Sequence, residues 1–168
     1  MDKPVVLAVS GASGAVYAKD LFERLHEAGI EIHLVITDTA KKIMRSELGI
    51  TEDFFDKGNV TVHDNSNLEV PIASGSFLTA GMVVAPCSMG CLGRIASGVS
   101  ATLIERAADV HLKERRPLIL VARETPLSDI HLENMLRLSR AGATIMPASP
   151  AFTHGPKTIG ELSAFITA

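Results

Sequence analysis

The segment Pro4-Val5-Val6-Leu7-Ala8-Val9-Ser10-Gly11-Ala12-Ser13-Gly14 joins a short apolar run directly to a glycine-rich turn. The run that ends at Val9 is typical of a buried β-strand, and the small residues after it are typical of a turn that leads into a helix. Similar apolar runs alternate with amphipathic stretches along the rest of the chain. This alternation predicts an α/β fold, a flavodoxin-like (Rossmann-like) three-layer parallel sheet with helices on both faces.

The hydrophobic periodicity predicts six strands and six helices. The strands are expected at residues 4–9, 31–37, 60–63, 82–86, 118–123 and 144–147. The helices are expected at residues 14–28, 39–48, 89–97, 102–114, 128–141 and 158–166. In the helix at 128–141, an apolar stripe of Ile130, Met135, Leu136 and Leu138 is expected to face the sheet. The polar segment 49–76 is the least regular part of the chain.

The composition favours a single globular domain over residues 1–168, because 46% of the residues are hydrophobic and 21% are charged. A formal net charge of −3 and an aromatic content of 4% argue against a nucleic-acid-binding protein. The apolar run near the N-terminus is too short for a signal peptide, and no stretch is long enough to cross a membrane. We therefore expect a cytoplasmic protein, with Cys87 and Cys91 as reduced thiols packed near the core.

The turn Ser10–Gly14 is the first candidate binding element, because it brings backbone N–H groups to a helix N-terminus where an anion is favoured. It lacks the pattern of a dinucleotide fingerprint or a Walker loop, so a mononucleotide phosphate fits better. A glycine-rich turn without a ligand would show the same pattern. The segment Ala85-Pro86-Cys87-Ser88-Met89-Gly90-Cys91 is a second turn of this kind, and both are expected at one crevice beside the carboxyl ends of the strands.

Charged residues follow two further strands or end a helix. Arg123 and Glu124 follow the fifth strand, where the arginine suits a phosphate and the carboxylate suits acid–base chemistry. A surface ion pair is the alternative explanation. Arg106 and Lys113 are seven residues apart on one helical face and could bind an anion together. Their ordinary explanation is a solvated helix end. No histidine spacing indicates a metal site.

Seven segments, in their order and spacing, resemble the UbiX-type flavin prenyltransferases, a flavoprotein family related to phosphopantothenoylcysteine decarboxylase. They lie at residues 10–14, 73–77, 85–89, 106–110, 112–118, 123–127 and 131–135. The resemblance implies a homo-oligomer, commonly a dodecamer, with FMN bound near the subunit interfaces. It also implies the transfer of a dimethylallyl group from dimethylallyl phosphate to reduced FMN without a metal. The product, prenylated FMN, would serve a UbiD-type decarboxylase.

The same resemblance assigns roles to individual positions. The expected FMN-contacting residues are Gly11, Ala12, Ser13, Thr37, Ser88, Met89, Gly90, Cys91 and Arg123. The expected catalytic residues, around the prenyl phosphate and the proton transfers, are Glu47, Lys113 and Glu124. Arg106 and Thr153 are expected to contact the substrate.

Two departures from the family pattern concern the prenyl phosphate. Thr153 stands where the family usually has a tyrosine, and the sequence ends at Ala168, before a commonly present arginine. These departures leave open a non-catalytic carrier of FMN or prenylated FMN. A flavin-dependent cysteine-type decarboxylase is a further alternative, but the segment Ile72-Ala73-Ser74-Gly75-Ser76 lacks the histidine typical of those enzymes.

Overall fold

The computed structural model describes residues 3–168 and contains one six-stranded, all-parallel sheet. The strands run in the spatial order β3-β2-β1-β4-β5-β6. Their bounds are β1 Val5–Val9, β2 Ile32–Ile36, β3 Val60–His63, β4 Gly81–Cys87, β5 Leu118–Ala122 and β6 Thr144–Pro147. The predicted α/β fold is therefore confirmed.

Six helices cover the two faces of this sheet. Their bounds are α1 Ala15–Glu27, α2 Asp38–Leu48, α3 Met89–Ala96, α4 Leu103–Lys113, α5 Asp129–Arg140 and α6 Ile159–Thr167. Leu7 and Leu34 pack on one face with side chains of α1 and α2, whereas Val6 and Leu120 pack on the other with α3 and α4. Successive residues of a strand point to opposite faces, so each central strand contributes to both cores.

The observed bounds agree with the predicted ones to within one residue at every strand and helix. The agreement has a local cause, since α2 to α6 each begin after a serine or threonine, and left-handed glycines follow α1, α2, α3 and α5. The side chains of Thr37 and Ser88 accept hydrogen bonds from backbone N–H groups at the starts of α2 and α3. Gly29 and Gly142 adopt left-handed backbone conformations after α1 and α5.

The apolar stripe predicted for α5 is only partly correct. Leu138 is 1% exposed, but Ile130 is 69% exposed and Leu136 is 51% exposed. Met135 packs against the core from a half-buried position. Periodicity detects apolar residues on a helix, but it does not show how many of them the sheet covers. The uncovered part of α5 forms an apolar surface with Leu127 and Leu132.

The strand order fixes where a ligand crevice can form. The chain moves outward from β1 to β2 and β3, and then returns to the other side of β1 with β4. In such sheets the crevice lies beyond the carboxyl ends of the two central strands, here β1 and β4. No helix within residues 3–168 has the length and apolar character needed to cross a membrane.

Candidate functional site

Ser10 links the two turns at the ends of β1 and β4. Its side chain is 2% exposed, and its Oγ donates to the carbonyl oxygen of Pro86 at 3.0 Å. The same Oγ accepts a hydrogen bond from the backbone N–H of Ser88 at 2.8 Å. Sequence reasoning placed Ser10 in the candidate binding turn but did not predict its link to the turn after β4. The available signal was a hydroxyl at the end of an apolar strand, immediately before the first glycine of the turn.

Backbone hydrogen bonds extend this link to the neighbouring strands. The N–H of Thr37 donates to the Val9 carbonyl at 3.0 Å, and the N–H of Arg123 donates to the Cys87 carbonyl at 3.2 Å. The ends of β2, β1, β4 and β5 therefore form one continuous edge. All residues expected to contact FMN lie in the turns along this edge.

Gly11 allows the first turn to approach α2 closely. A Cβ atom at this position would lie 2.6 Å from Cγ2 of Thr39, a distance that any larger residue would have to relieve by moving the backbone. Gly14 is required for a different reason, because its φ of 104° lies in the left-handed region. The two glycines thus bring the turn and the start of α2 together.

Glu47 occupies part of the anion-binding turn predicted from the sequence. Its carboxylate accepts hydrogen bonds from the N–H groups of Gly14 at 3.0 Å and Ala15 at 2.8 Å. Burial raises the pKa of Glu47, but hydrogen bonds from Ser13, Ala15 and Gly14 outweigh it and leave the pKa below its ordinary value, with a further contribution from Arg123. The N–H groups of Gly14 and Ala15 are therefore paired with the protein's own carboxylate, and the phosphate site expected at this turn stays a prediction.

The start of α2 remains open to an anion. The Oγ1 of Thr37 accepts from the N–H of Ala40 at 3.1 Å. Within residues 3–168, the N–H groups of Asp38 and Thr39 have no acceptor. Unpaired N–H groups at a helix N-terminus favour a phosphate, so the start of α2 meets this requirement.

The turn after β4 is held by its own side chains. Ser88 Oγ accepts from the N–H of Cys91 at 3.3 Å, and the thiols of Cys87 and Cys91 are both buried and free. A hydrogen bond with Cys91 raises the pKa of Cys87, and burial raises it further. The prediction of reduced, packed thiols is confirmed. Met89 is also buried, so Gly90 is the exposed residue of this turn.

Arg123 and Glu124 lie at the end of β5 and are both exposed. They line a depression of about 500 Å³ with residues that follow β6. Glu124 accepts from the N–H of Thr125 at 3.0 Å. No ion pair joins Arg123 to Glu124 within the described chain, so both charges remain available to a ligand.

Lys113 lies away from this edge. It is the last residue of α4, which begins near the end of β3, where the N–H of Leu103 donates to the Asn65 carbonyl. Lys113 pairs with Glu114 beside Gly75, which precedes β4. The full length of β4 separates the two edges of the sheet, which is about 20 Å for a strand of this size. One chain therefore does not bring Lys113 to Glu47 and Arg123.

Neither Arg106 nor Thr153 forms a hydrogen bond or an ion pair with the joined turns within residues 3–168. The Nε of Arg106 donates to the Ala73 carbonyl at 3.0 Å, and its guanidinium pairs with Asp109 at 3.2 Å. Thr153 is exposed in the segment after β6, and its side chain has no hydrogen-bond partner within residues 3–168. Neither residue contacts Glu47 through a hydrogen bond or an ion pair in the described chain.

The joined turns offer polar N–H groups, one carboxylate and one guanidinium beside a crevice, which suits an anionic mononucleotide. Within the part of the chain that the structure describes, no cluster of three or more His, Cys, Asp or Glu residues is arranged to hold a metal ion. The open start of α2 offers unpaired N–H groups to the phosphate of such a mononucleotide.

Comparisons with known proteins agree with this geometry. The family model described as Flavoprotein matches residues 1–168. The chain is 47% identical to "Flavin prenyltransferase UbiX" of Alkalihalophilus pseudofirmus, over 99% of this chain and 88% of that protein.

Two solved structures extend the comparison. The crystal structure of AnUbiX (PadA1) in complex with FMN and dimethylallyl pyrophosphate has a TM-score of 0.94 and 42% identity, over 98% of this chain and 87% of that one. A dodecameric FMN-dependent Ubix-like decarboxylase from Escherichia coli O157:H7 has a TM-score of 0.94 and 40% identity, over 98% and 90% of the two chains.

Proposed function

This chain belongs to the flavoprotein family and, within it, to the UbiX-type flavin prenyltransferases, and from this membership we propose how its residues act. The enzyme joins a dimethylallyl group from dimethylallyl phosphate to reduced FMN and makes prenylated FMN. The observation that carries the proposal is the row of joined turns at the ends of β2, β1, β4 and β5. They occur in a chain 42% identical to a UbiX structure that holds FMN and dimethylallyl pyrophosphate.

FMN is assigned to the crevice between these turns. Gly11, Ala12 and Ser13 approach its ring system from the β1 side, and the Ser88–Cys91 turn approaches from the β4 side. Thr37, with the unpaired N–H groups of Asp38 and Thr39, binds the FMN phosphate. The open α2 terminus supports this assignment, because at the start of α1 the N–H groups of Gly14 and Ala15 are already paired with Glu47.

The reaction requires the site to stabilise negative charge on the leaving phosphate and positive charge on the allylic group. The allylic carbon–oxygen bond breaks with loss of phosphate as the ring nitrogen of reduced FMN bonds to that carbon and loses its proton. Protonation of the remaining prenyl double bond then lets the neighbouring ring carbon form the second bond, with loss of its own proton. Cationic side chains must hold the departing phosphate, since its negative charge increases as the bond breaks. Arg123 supplies one cation at the crevice, and Lys113 supplies another.

The two carboxylates of the site differ in the roles that suit them. The lowered pKa keeps Glu47 ionised at neutral pH, so it fits the stabilisation of positive charge and the acceptance of a proton. It does not fit the donation of a proton. Glu124 is exposed and hydrogen-bonded only to the N–H of Thr125. We assign it to proton transfer with solvent access.

Lys113 and Arg106 are assigned to the site of a neighbouring copy. The location of Lys113 at the amino edge of the sheet supports this arrangement, because one chain cannot bring it to its own Arg123, and Arg106 lies on the same helix. The protein would then be a homo-oligomer with FMN at subunit interfaces. The dodecamer described for the similar E. coli structure supports a dodecamer here.

Thr153 is assigned to the prenyl phosphate, where its hydroxyl is shorter than the usual tyrosine and requires a closer ligand or a bridging water. The recipient of the prenylated FMN is a UbiD-type decarboxylase. The chain acts as a single FMN-binding domain in the cytoplasm. Co-purification with a decarboxylase and cell fractionation test these last assignments.

Transfer is tested directly by incubating the purified protein with reduced FMN and dimethylallyl phosphate. We expect a flavin heavier by one isoprenyl unit in the mass spectrum. Dimethylallyl pyrophosphate is supplied in a parallel reaction, and Arg123→Gln serves as the variant impaired in flavin binding. Recovery of unmodified FMN alone from both reactions would refute transferase activity. Retention of FMN in that case would favour the carrier function.

A further inference from the structure

A basic groove lies at the amino edge of the sheet, opposite the edge assigned to FMN. It occupies about 790 Å³ between the ends of α4 and α5. Three arginines line it, namely Arg115, Arg116 and Arg140. Leu112 and Pro117 contribute apolar surface to the same groove.

Two of these arginines have no partner inside the chain. Within residues 3–168, the side chains of Arg115 and Arg140 form no ion pair and donate no hydrogen bond. Both residues are exposed. Their guanidinium groups are thus free to bind an anion from solution.

Helix capping does not account for the cluster. Each helix C-terminus carries a partial charge of about −0.5, so α4 and α5 together offset roughly one of the three positive charges. The carbonyl groups at both ends also have backbone partners. The N–H of Arg116 donates to the His111 carbonyl at 2.8 Å, and the N–H of Ala143 donates to the Leu138 carbonyl at 3.0 Å. A net positive charge of about two therefore remains at the groove.

Arg115 occupies a backbone position that favours glycine. Its φ of 54° lies in the left-handed region, and it is the only non-glycine residue between 3 and 168 with a positive φ. At the equivalent position after α5, on the other side of the groove, the chain has Gly142. Arg115 therefore occupies a backbone conformation that glycine would adopt with less strain. Strained positions of this kind are typical of residues with a functional role.

Arg116 gives the groove a rigid side. Its guanidinium donates to the carbonyl oxygens of Phe77 at 2.6 Å and Gly75 at 2.5 Å. These two bonds fix the charge in place, so it need not be ordered when a ligand binds. The free guanidinium groups of Arg115 and Arg140 face the same groove and supply the hydrogen-bond donors.

We propose that Arg115, Arg116 and Arg140 form a second anion site, which binds a small molecule carrying two linked phosphate groups. Guanidinium groups bind phosphate oxygens through paired hydrogen bonds, and two free guanidiniums match two anionic centres. The groove is far larger than a single phosphate, and Leu112 and Pro117 offer contact to an organic group. The groove lies at the opposite edge of the sheet from the flavin crevice of the same chain.

The test uses inorganic pyrophosphate as the probe in isothermal titration calorimetry of the flavin-free full chain. The Arg123→Gln variant is the background, so that the proposed substrate site does not contribute to the signal. We expect saturable binding that is about tenfold tighter than that of orthophosphate. Arg115→Gly and Arg140→Gln should each weaken it about tenfold, whereas Arg115→Lys should retain part of it.

Arg137→Gln is the matched control, because it removes the same charge from an exposed position on α5 that does not line the groove. It should leave pyrophosphate binding within twofold. Arg115→Gly should also melt at a higher temperature than its parent, which separates loss of binding from loss of folding.

Three results would overturn the proposal: no saturable binding of pyrophosphate, equal losses in Arg137→Gln and the groove variants, or equal affinity for orthophosphate. Binding of poly-glutamate without binding of pyrophosphate would also overturn it and would reassign the groove to an acidic protein partner. The measurement needs neither FMN nor turnover, so its failure leaves the proposed transferase function unaffected.

Discussion

The carboxylate of Glu47 neutralises the N-terminus of α1 from a position more than thirty residues later in the chain. Two backbone N–H groups that would otherwise need water or a ligand are thereby satisfied within the protein. The same contacts keep Glu47 ionised beside the crevice. One residue thus contributes both to the stability of α1 and to the charge of the site.

Replacing Glu47 with Ala should lower the free energy of unfolding by about 1 kcal/mol at pH 7, because the α1 N–H groups lose their acceptor. Since the folded pKa is lowered, this contribution is complete above the unfolded pKa and is lost as the pH falls through the folded value. Urea denaturation at neutral and acidic pH should therefore show a difference between variant and wild type that shrinks in acid.

Glu133→Ala provides the comparison, because Glu133 is exposed on α5 and has no ion-pair partner within residues 3–168. Its stability should stay within 0.5 kcal/mol of the wild type at every pH, as is usual for such surface changes. A Glu47→Ala difference that persists unchanged into acid would contradict the assigned role of the carboxylate.

A histidine pair at β2 and β3 should make stability depend on pH in a different range. His33 Nδ1 and His63 Nε2 are 2.8 Å apart, with Glu31 and Phe77 beside His33. Burial lowers the pKa of both rings, although Glu31 partly opposes the shift at His33, and the charge of His33 lowers the pKa of His63 further.

Because both pKa values are lowered, the stabilising form is the neutral one. The contribution of this pair to the free energy of unfolding should be complete above about pH 6.5, the pKa of histidine in the unfolded chain. It should decrease as the pH falls towards the lower pKa values of the folded protein. His63→Gln should flatten the dependence of the urea midpoint on pH between 5 and 7, whereas the exposed His154→Gln should not. Parallel curves for the wild type and His63→Gln would argue against this pair as the cause.

Single residues were the least predictable level of the site. Glycines, small residues and capping hydroxyls affect the backbone only within a few residues of themselves. The roles of Gly14, Thr37 and Ser88 at helix starts can therefore be recognised in the sequence. Ser10 could not, because its partner Pro86 lies on a strand that is adjacent only in space. The contact of Glu47 with the α1 terminus was hidden for the same reason.

At the scale of elements, the joint between α3 and α4 depends on one buried carboxylate. Glu105 is 1% exposed and accepts from the N–H groups of Ala101 and Thr102, both at 3.0 Å. It also pairs with Arg94 of α3. Burial alone raises the pKa of Glu105, but the pair with Arg94 and the two N–H groups outweigh it and leave the pKa lowered.

The two partners of this joint should not be equivalent. Arg94→Gln leaves a buried carboxylate without its cation and should cost about 2–3 kcal/mol of unfolding free energy. Glu105→Gln leaves only an arginine whose side chain is 50% exposed, so it should cost about 1 kcal/mol. Urea denaturation of both single variants and of the double variant measures the difference. A larger loss in Glu105→Gln would contradict this account.

Element boundaries were predicted well because their signals are local. The limits of α5 followed from Ser128 and Gly142, but the environment of its apolar residues did not follow from the periodicity. Ile130 and Leu136 are as hydrophobic as the buried Leu138, yet the sheet reaches only the last of these. The surroundings of a helix face depend on neighbours that the helix sequence does not specify.

At the scale of the whole molecule, the proposed catalytic residues lie at opposite edges of the sheet. The seven-residue spacing of Arg106 and Lys113 predicted a shared helical face, but not which edge that helix would reach. If neighbouring copies supply Lys113 to the crevice of Arg123, then variants of these two residues should complement each other. Each variant alone should lose most transferase activity.

Co-expression of Lys113→Gln and Arg123→Gln chains should restore activity, because roughly a quarter of the sites in a random one-to-one mixture combine both native residues. Differently tagged chains, purified through both tags, allow the activity of mixed oligomers to be measured. A double variant carrying both changes on one chain, mixed with itself, is the control. Mixed oligomers as inactive as either parent would exclude sharing of the site between copies.

The uncovered apolar side chains of α5, Ile130, Leu132 and Leu136, have a consequence for the life of a newly made chain. Exposed apolar surface of this kind binds other apolar surfaces. An unassembled copy can therefore either join the native oligomer or aggregate. An assembly that covers α5 couples the melting temperature to protein concentration by mass action. The fraction of folded chains would then depend on how much of the protein the cell contains. At low concentration more chains would be unassembled and open to proteolysis.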